Sequence, residues 1–132
     1  MINEIETPVF SDKRGSLCVI NFNDLPFAPQ RIFYVKDVPA LEERGNHAHK
    51  SCHQILFAIN GSLEVELSNI EGEFNFNLKN PKIGIHIPPL NWGVQKNFEP
   101  GTILMVLASE PYDKNEYIND RNQFNEMIKK IE

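Results

Sequence analysis

Three of the chain's four histidines, His47, His49 and His53, fall within seven positions of one another, in the stretch RGNHAHKSCHQILFAING between Arg44 and Gly61. Imidazole is the side chain best suited to give and take protons near neutral pH, and in its neutral form it is also a common metal ligand. On an extended strand, residues two apart share a face and lie about 7 Å apart. His47 and His49 therefore enter one cavity while Ala48 faces away. His53 has the same parity, but a bulge or turn at KSC would break its register with the pair.

The elements that must hold this pair read as strands. GSLCVINF, RIFYVKDV, QILFAI, SLEVELS, EFNFNLK and TILMVLAS are rich in β-branched and aromatic residues and are separated by Gly, Pro, Asn or Asp. Alternation is clearest at Leu63, Val65, Leu67 and at Phe74, Phe76, Leu78, each series interleaved with polar residues. Asn60-Gly61 predicts a hairpin between QILFAI and SLEVELS, and IEGE at 70–73 predicts a second turn. Short strands paired in this way suggest a jelly-roll sandwich or barrel, all-β in class. Only the tail changes period. Phe124, Met127, Ile128 and Ile131 follow helical spacing, so RNQFNEMIKKI is expected to be a short C-terminal amphipathic helix docked on the barrel.

With 132 residues the chain is sized for one domain spanning 1–132. Its 13 basic and 18 acidic residues give a net charge of −5 without long runs of either sign, which argues against a general nucleic-acid or anionic-membrane surface. Arg14, Arg31 and Arg44 are nevertheless concentrated in the first third, as a local anion site would require. The N-terminus lacks a signal-peptide pattern and no apolar run reaches membrane-spanning length, so the expected compartment is the cytoplasm. There, Cys18 and Cys52, which lack CxxC spacing, are expected to be free, buried thiols.

His47-x-His49, then Gln54 and Gly61, resembles the first signature of the cupin superfamily, with glutamine in place of the usual glutamate. The second signature usually brings another histidine after a proline turn. In IPPLNWGV the turn is present at Pro88 and Pro89, but Gly93 stands where that histidine would align. Two imidazoles and a neutral amide make a weak site for a divalent transition metal, unless His53 or His86 completes it. The cluster reads better as a metal-free acid–base pair.

The longer strings RIFYVKDVPALEERGNHAHKSCHQILFAINGSLEVEL, IPPLNW and VLASEPYDKNEYI resemble one cupin family, the dTDP-sugar 3,4-ketoisomerases, related to WxcM-like proteins of polysaccharide biosynthesis. That resemblance implies isomerisation of dTDP-4-keto-6-deoxyglucose to a 3-keto sugar without metal or organic cofactor. It also implies a homodimer, with N-terminal strands exchanged between subunits as one possible form. The family usually has an arginine where this chain has Asn119 in YIND. Catalytic roles are expected for His49 as base at C3 with His47 as its proton-handling partner, or the two in reversed order, and for Tyr34 near the sugar carbonyl. Substrate contacts are expected from Arg44, Arg31, Lys50, Gln54 and Trp92. A metal-dependent cupin enzyme and a nonenzymatic sugar-nucleotide binding module are the competing functions.

Overall fold

A computed structural model describes residues 1–131. Twelve strands run in chain order as β1 (Asn3–Glu6), β2 (Val9–Asp12), β3 (Gly15–Cys18), β4 (Arg31–Lys36), β5 (Arg44–His49), β6 (Gln54–Asn60), β7 (Leu63–Asn69), β8 (Gly72–Leu78), β9 (Ile83–Ile87), β10 (Trp92–Lys96), β11 (Ile103–Ala108) and β12 (Tyr117–Ile118). Helix α1 (Arg121–Lys129) follows. The strands form one five-stranded sheet ordered β1-β9-β6-β11-β4, a second ordered β12-β5-β10-β7-β8, and a separate β2–β3 hairpin. From β4 to β7 successive strands alternate between the two large sheets, the wrapping expected of a cupin-type jelly roll.

The two sheets meet over one apolar interior. Leu56, Ala58, Ile85, Ile87, Leu104 and Val106 from the first sheet pack against Leu63, Val65, Leu67 and Leu78 from the second. The alternation read in SLEVELS is therefore real, with Leu63, Val65 and Leu67 inward. A second cluster covers the outer face of the first sheet, where Ile55, Phe57 and Leu107 meet Ile5, Ile20, Leu25 and Phe27. A third lies outside the other sheet, where Ala48, Trp92 and Ile118 receive Phe124, Met127 and Ile128 of α1. Ile131, expected on the same helical face, lies past the helix end and is exposed.

The structure corrects three expectations. Asn60-Gly61 does not close a hairpin, because β6 and β7 belong to different sheets. A two-residue hairpin turn of the favoured kind needs positive φ at both positions, but only Gly61 adopts it (φ +74°). The chain instead turns a corner there, so close to Thr102 that a Cβ on Gly61 would lie 2.8 Å from the Thr102 Cα. IEGE does close a hairpin, between β7 and β8. GSLCVINF is not one strand either, since β3 ends at Cys18 and Phe22–Asp24 forms a 3₁₀ turn capped by Asn21. As for the thiols, Cys52 is buried but Cys18 is exposed on the hairpin.

Candidate active site

β5 carries the histidine pair across the mouth of the barrel. It is held between β10, with His47 opposite Gly93, and β12, with His49 opposite Tyr117. Ala48 is fully buried against the α1 cluster on the outer face, so His47 and His49 both project inward. Their rings meet edge to face with centroids 5.0 Å apart. Because Gly93 lies directly across from His47, the missing side chain leaves room beside the pair rather than elsewhere in the barrel.

Hydrogen bonds fix which nitrogen each ring presents. His49 Nδ1 lies 2.6 Å from Glu116 Oε1, and a carboxylate only accepts, so Nδ1 carries the proton. His47 Nδ1 lies 3.1 Å from the Gly45 carbonyl and donates for the same reason. Both rings therefore keep Nε2 for the cavity, and His49 Nε2 is buried with no partner among the described residues. Glu116 is itself anchored. Its other oxygen accepts the backbone N–H groups of Ser51 and Cys52, each at 2.9 Å. Burial raises the Glu116 pKa, but the bonds from His49, Cys52 and Ser51 outweigh it and hold the carboxyl below the ordinary glutamate value. Desolvation and the neighbouring His49 push the His47 pKa down, favouring its neutral, proton-accepting form.

His49, Cys52 and Glu116 place potential ligating atoms within 4.8 Å of one another. His49 Nδ1 and both Glu116 oxygens are already committed to the hydrogen bonds above, so this trio is a braced imidazole–carboxylate dyad.

Arg31 enters from the first sheet. Its Nη1 donates to the Tyr117 hydroxyl at 3.3 Å, its guanidinium lies over the rings of Phe33 and Tyr112, and its buried Nε has no partner. The Tyr117 ring sits 5.1 Å from His47 and 4.5 Å from His49, centroid to centroid. His47, Tyr112, Lys114, Tyr117 and Asn119 line a cleft of about 190 Å³ beside them. Gln54 is buried in the inward row of β6, and it and Arg31 flank Ala108 from opposite sides.

Several expected residues lie elsewhere. Tyr34 alternates with the inward Phe33 and Val35, so it faces outward, is 67% exposed and does not meet the histidines. The tyrosine that does lie beside both histidines is Tyr117. Trp92 is on the outer face, packed on Phe124 beneath Arg121, where it anchors α1. Lys50 turns its ammonium back to the Asn115 carbonyl at 2.8 Å and so fastens the Lys114–Glu116 turn. Arg44 is exposed at the start of β5, ahead of the bulge at Gly45 and Asn46. His53 and His86 stack on the outer face of the first sheet, opposite the cavity that His47 and His49 enter, so neither completes a metal site with the pair.

Glu116 and Tyr117 are the residues that sequence reasoning missed. Both belong to the quoted YDKNEYI, but no spacing rule ties residue 116 to residue 49.

A two-sheet jelly roll with an inward, carboxylate-braced histidine pair defines a cupin-type acid–base site. Residues 2–129 match the family described as FdtA: WxcM-like, C-terminal, and the chain belongs to that family. It is 37% identical over 121 residues, covering 91% of this chain and 87% of the relative, to the TDP-4-oxo-6-deoxy-α-D-glucose-3,4-oxoisomerase of Aneurinibacillus thermoaerophilus. Among solved structures it resembles a mutant 3,4-ketoisomerase QdtA from Thermoanaerobacterium thermosaccharolyticum in complex with TDP-4-keto-6-deoxyglucose, with TM-score 0.95, 35% identity and coverage of 98% and 94% of the two chains. A 3,4-ketoisomerase from Helicobacter canadensis superimposes with TM-score 0.92 at 36% identity, covering 97% of each chain.

Proposed function

We propose that this chain is a sugar-nucleotide 3,4-ketoisomerase acting on dTDP-4-keto-6-deoxyglucose, with His49 as the base. The observation that carries the proposal is the tautomer lock. Glu116 holds the Nδ1 proton of His49, leaving a buried, unpartnered Nε2 lone pair in the cavity.

The C4 ketone acidifies the C3 hydrogen. His49 Nε2 takes that proton, the C3–H electron pair forms the C3=C4 bond of an enediolate, and negative charge moves onto O4. The Glu116 carboxylate faces the positive charge that then appears on the imidazole ring. A proton delivered to O4 gives the neutral enediol, and a second delivered to C4 with loss of the O3 proton leaves the ketone at C3, so the two protons removed and the two added balance without a redox partner. His47, whose Nε2 enters the same space, exchanges protons at the oxygens or C4. Tyr117, whose hydroxyl already accepts from Arg31, retains its own proton to donate to the sugar oxygen that bears the developing charge.

The unpartnered Arg31 Nε suits a diphosphate or oxyanion, and the exposed Arg44 adds positive charge on the histidine strand. Gln54 contributes an amide from the inward row. The chain acts as a homodimer in the cytoplasm, with the β2–β3 arm reaching a second copy. β1 pairs with β9 of its own chain, whereas Phe10 and Leu17 leave 63% and 62% of their surfaces bare on a two-stranded arm. Such a hairpin is marginal without cover.

Incubation with dTDP-4-keto-6-deoxyglucose, followed by NMR of the product, tests the activity. A 3-keto product is expected, and its couplings report the configuration at C4. Unchanged substrate with folded protein would contradict the proposal.

A further inference from the structure

The two remaining histidines form a second pair behind the first sheet. His53 Nδ1 and His86 Nε2 are 3.0 Å apart, and the rings stack at 5.2 Å with an 18° tilt. Phe27 covers both, 5.8 Å from each. Among the described residues, His86 Nδ1 is buried without a partner. Two imidazole nitrogens at this separation share one proton, since one ring must accept for the other to donate. A second proton removes the acceptor and sets like charges against each other.

Among the described residues, no anion stands ready to compensate. The charged groups acting on His86 are His53 and the α-amino group of Met1, both cationic when protonated. From the facing elements come Ile5 of β1, Ile55 of β6, Leu107 of β11, and Ile20, Leu25 and Phe27. Glu4 and Glu6 alternate with Ile5 on the other face of β1, and Asp24 is exposed in its 3₁₀ turn. Cys52 offers only a thiol to the His53 carbonyl, and Ser109 a hydroxyl to its N–H.

The pair is wired to both halves of the catalytic site. His53 follows Cys52, whose N–H holds Glu116. The segment that Phe27 anchors continues to Gln30, whose N–H donates to the Ala108 carbonyl at 2.8 Å, and then to Arg31.

We propose that His53 and His86 form a proton-operated latch. With one shared proton the pair holds Phe27 and the connection from Ile20 to Gln30 against the sheet, and with a second it releases them. Burial first, then His53, lowers the His86 pKa to about 4 in the latched form. A released histidine returns to about 6.5. The proton therefore binds the released form more tightly, and acidification from about 6.5 toward 4 populates it, by up to roughly twentyfold at pH 5 relative to neutral pH.

Hydrogen exchange of the full chain at pH 7.5 and pH 5.0, corrected for intrinsic rates, tests this. Protection at Gln30 and its neighbours should fall about tenfold or more at the lower pH, while β7 and β8 stay unchanged. In His86→Gln, which keeps a hydrogen-bonding group but does not titrate, the fall should disappear. Equal protection at both pH values in the wild type, or the same fall in the variant, would overturn the latch. Imidazole C–H titration of the wild type needs no variant to fold. A His86 resonance titrating near 6.5 would overturn the latch, and one titrating well below that supports it.

Discussion

At the residue scale, a single carboxylate decides what the histidine pair can do. Glu116 fixes the tautomer of His49, and Ser51 and Cys52 fix Glu116. Replacing Glu116 by Gln allows the amide to donate to Nδ1, which turns the Nε2 lone pair into an N–H. The kcat should fall roughly hundredfold or more with little change in KM, as expected for loss of a positioned base. The carboxylate also contributes to stability. Its folded pKa lies below the unfolded value, so that contribution is full above the ordinary glutamate value and is lost as pH falls through the folded one. Thermal melts of Glu116→Gln should lack this acid-side decline. Tyr117→Phe should lower kcat, whereas Tyr34→Phe should leave it unchanged, because only the first hydroxyl lies beside Arg31. His47-x-His49 was legible because strand geometry is local. Glu116 was not, because its pairing spans 67 positions and depends on how β12 meets β5.

At the element scale, periodicity was a good guide to faces and a poor guide to partners. SLEVELS and EFNFNLK were legible as neighbours because a short turn joins them within one sheet. QILFAI and SLEVELS are equally close in sequence, yet the Gly61 corner sends them to opposite sheets. Trp92, expected among the substrate contacts, packs on the outer face instead, since no local pattern says which face α1 will cover. Its indole and Phe124 are 5.7 Å apart, and the helix begins at Asp120, whose carboxylate accepts the N–H groups of Asn122 and Gln123. Asp120→Ala should cost about 1 kcal/mol. Trp92→Ala should cost about 3 kcal/mol by opening the cluster under the helix. Both are measured by denaturant titration, and neither removes a catalytic contact.

At the scale of the whole molecule, a chain of net charge −5 gathers Arg31, Lys114, Tyr112 and Tyr117 around the histidine cleft. Among the described residues, no helix is long and apolar enough to cross a membrane. The arm that leaves Phe10 and Leu17 bare gives the assembly its test. Light scattering should report a dimer, and Phe10→Ser with Leu17→Ser should shift it toward monomer. The central claim is proton transfer at C3 by His49, and solvent exchange tests it most directly. In D₂O the wild type should place deuterium at C4 of the product and wash out the C3 hydrogen of remaining substrate, while His49→Gln should bind dTDP and do neither. Product that retains the C3 hydrogen at C4, formed equally fast by His49→Gln, would indicate a hydride shift and contradict the account.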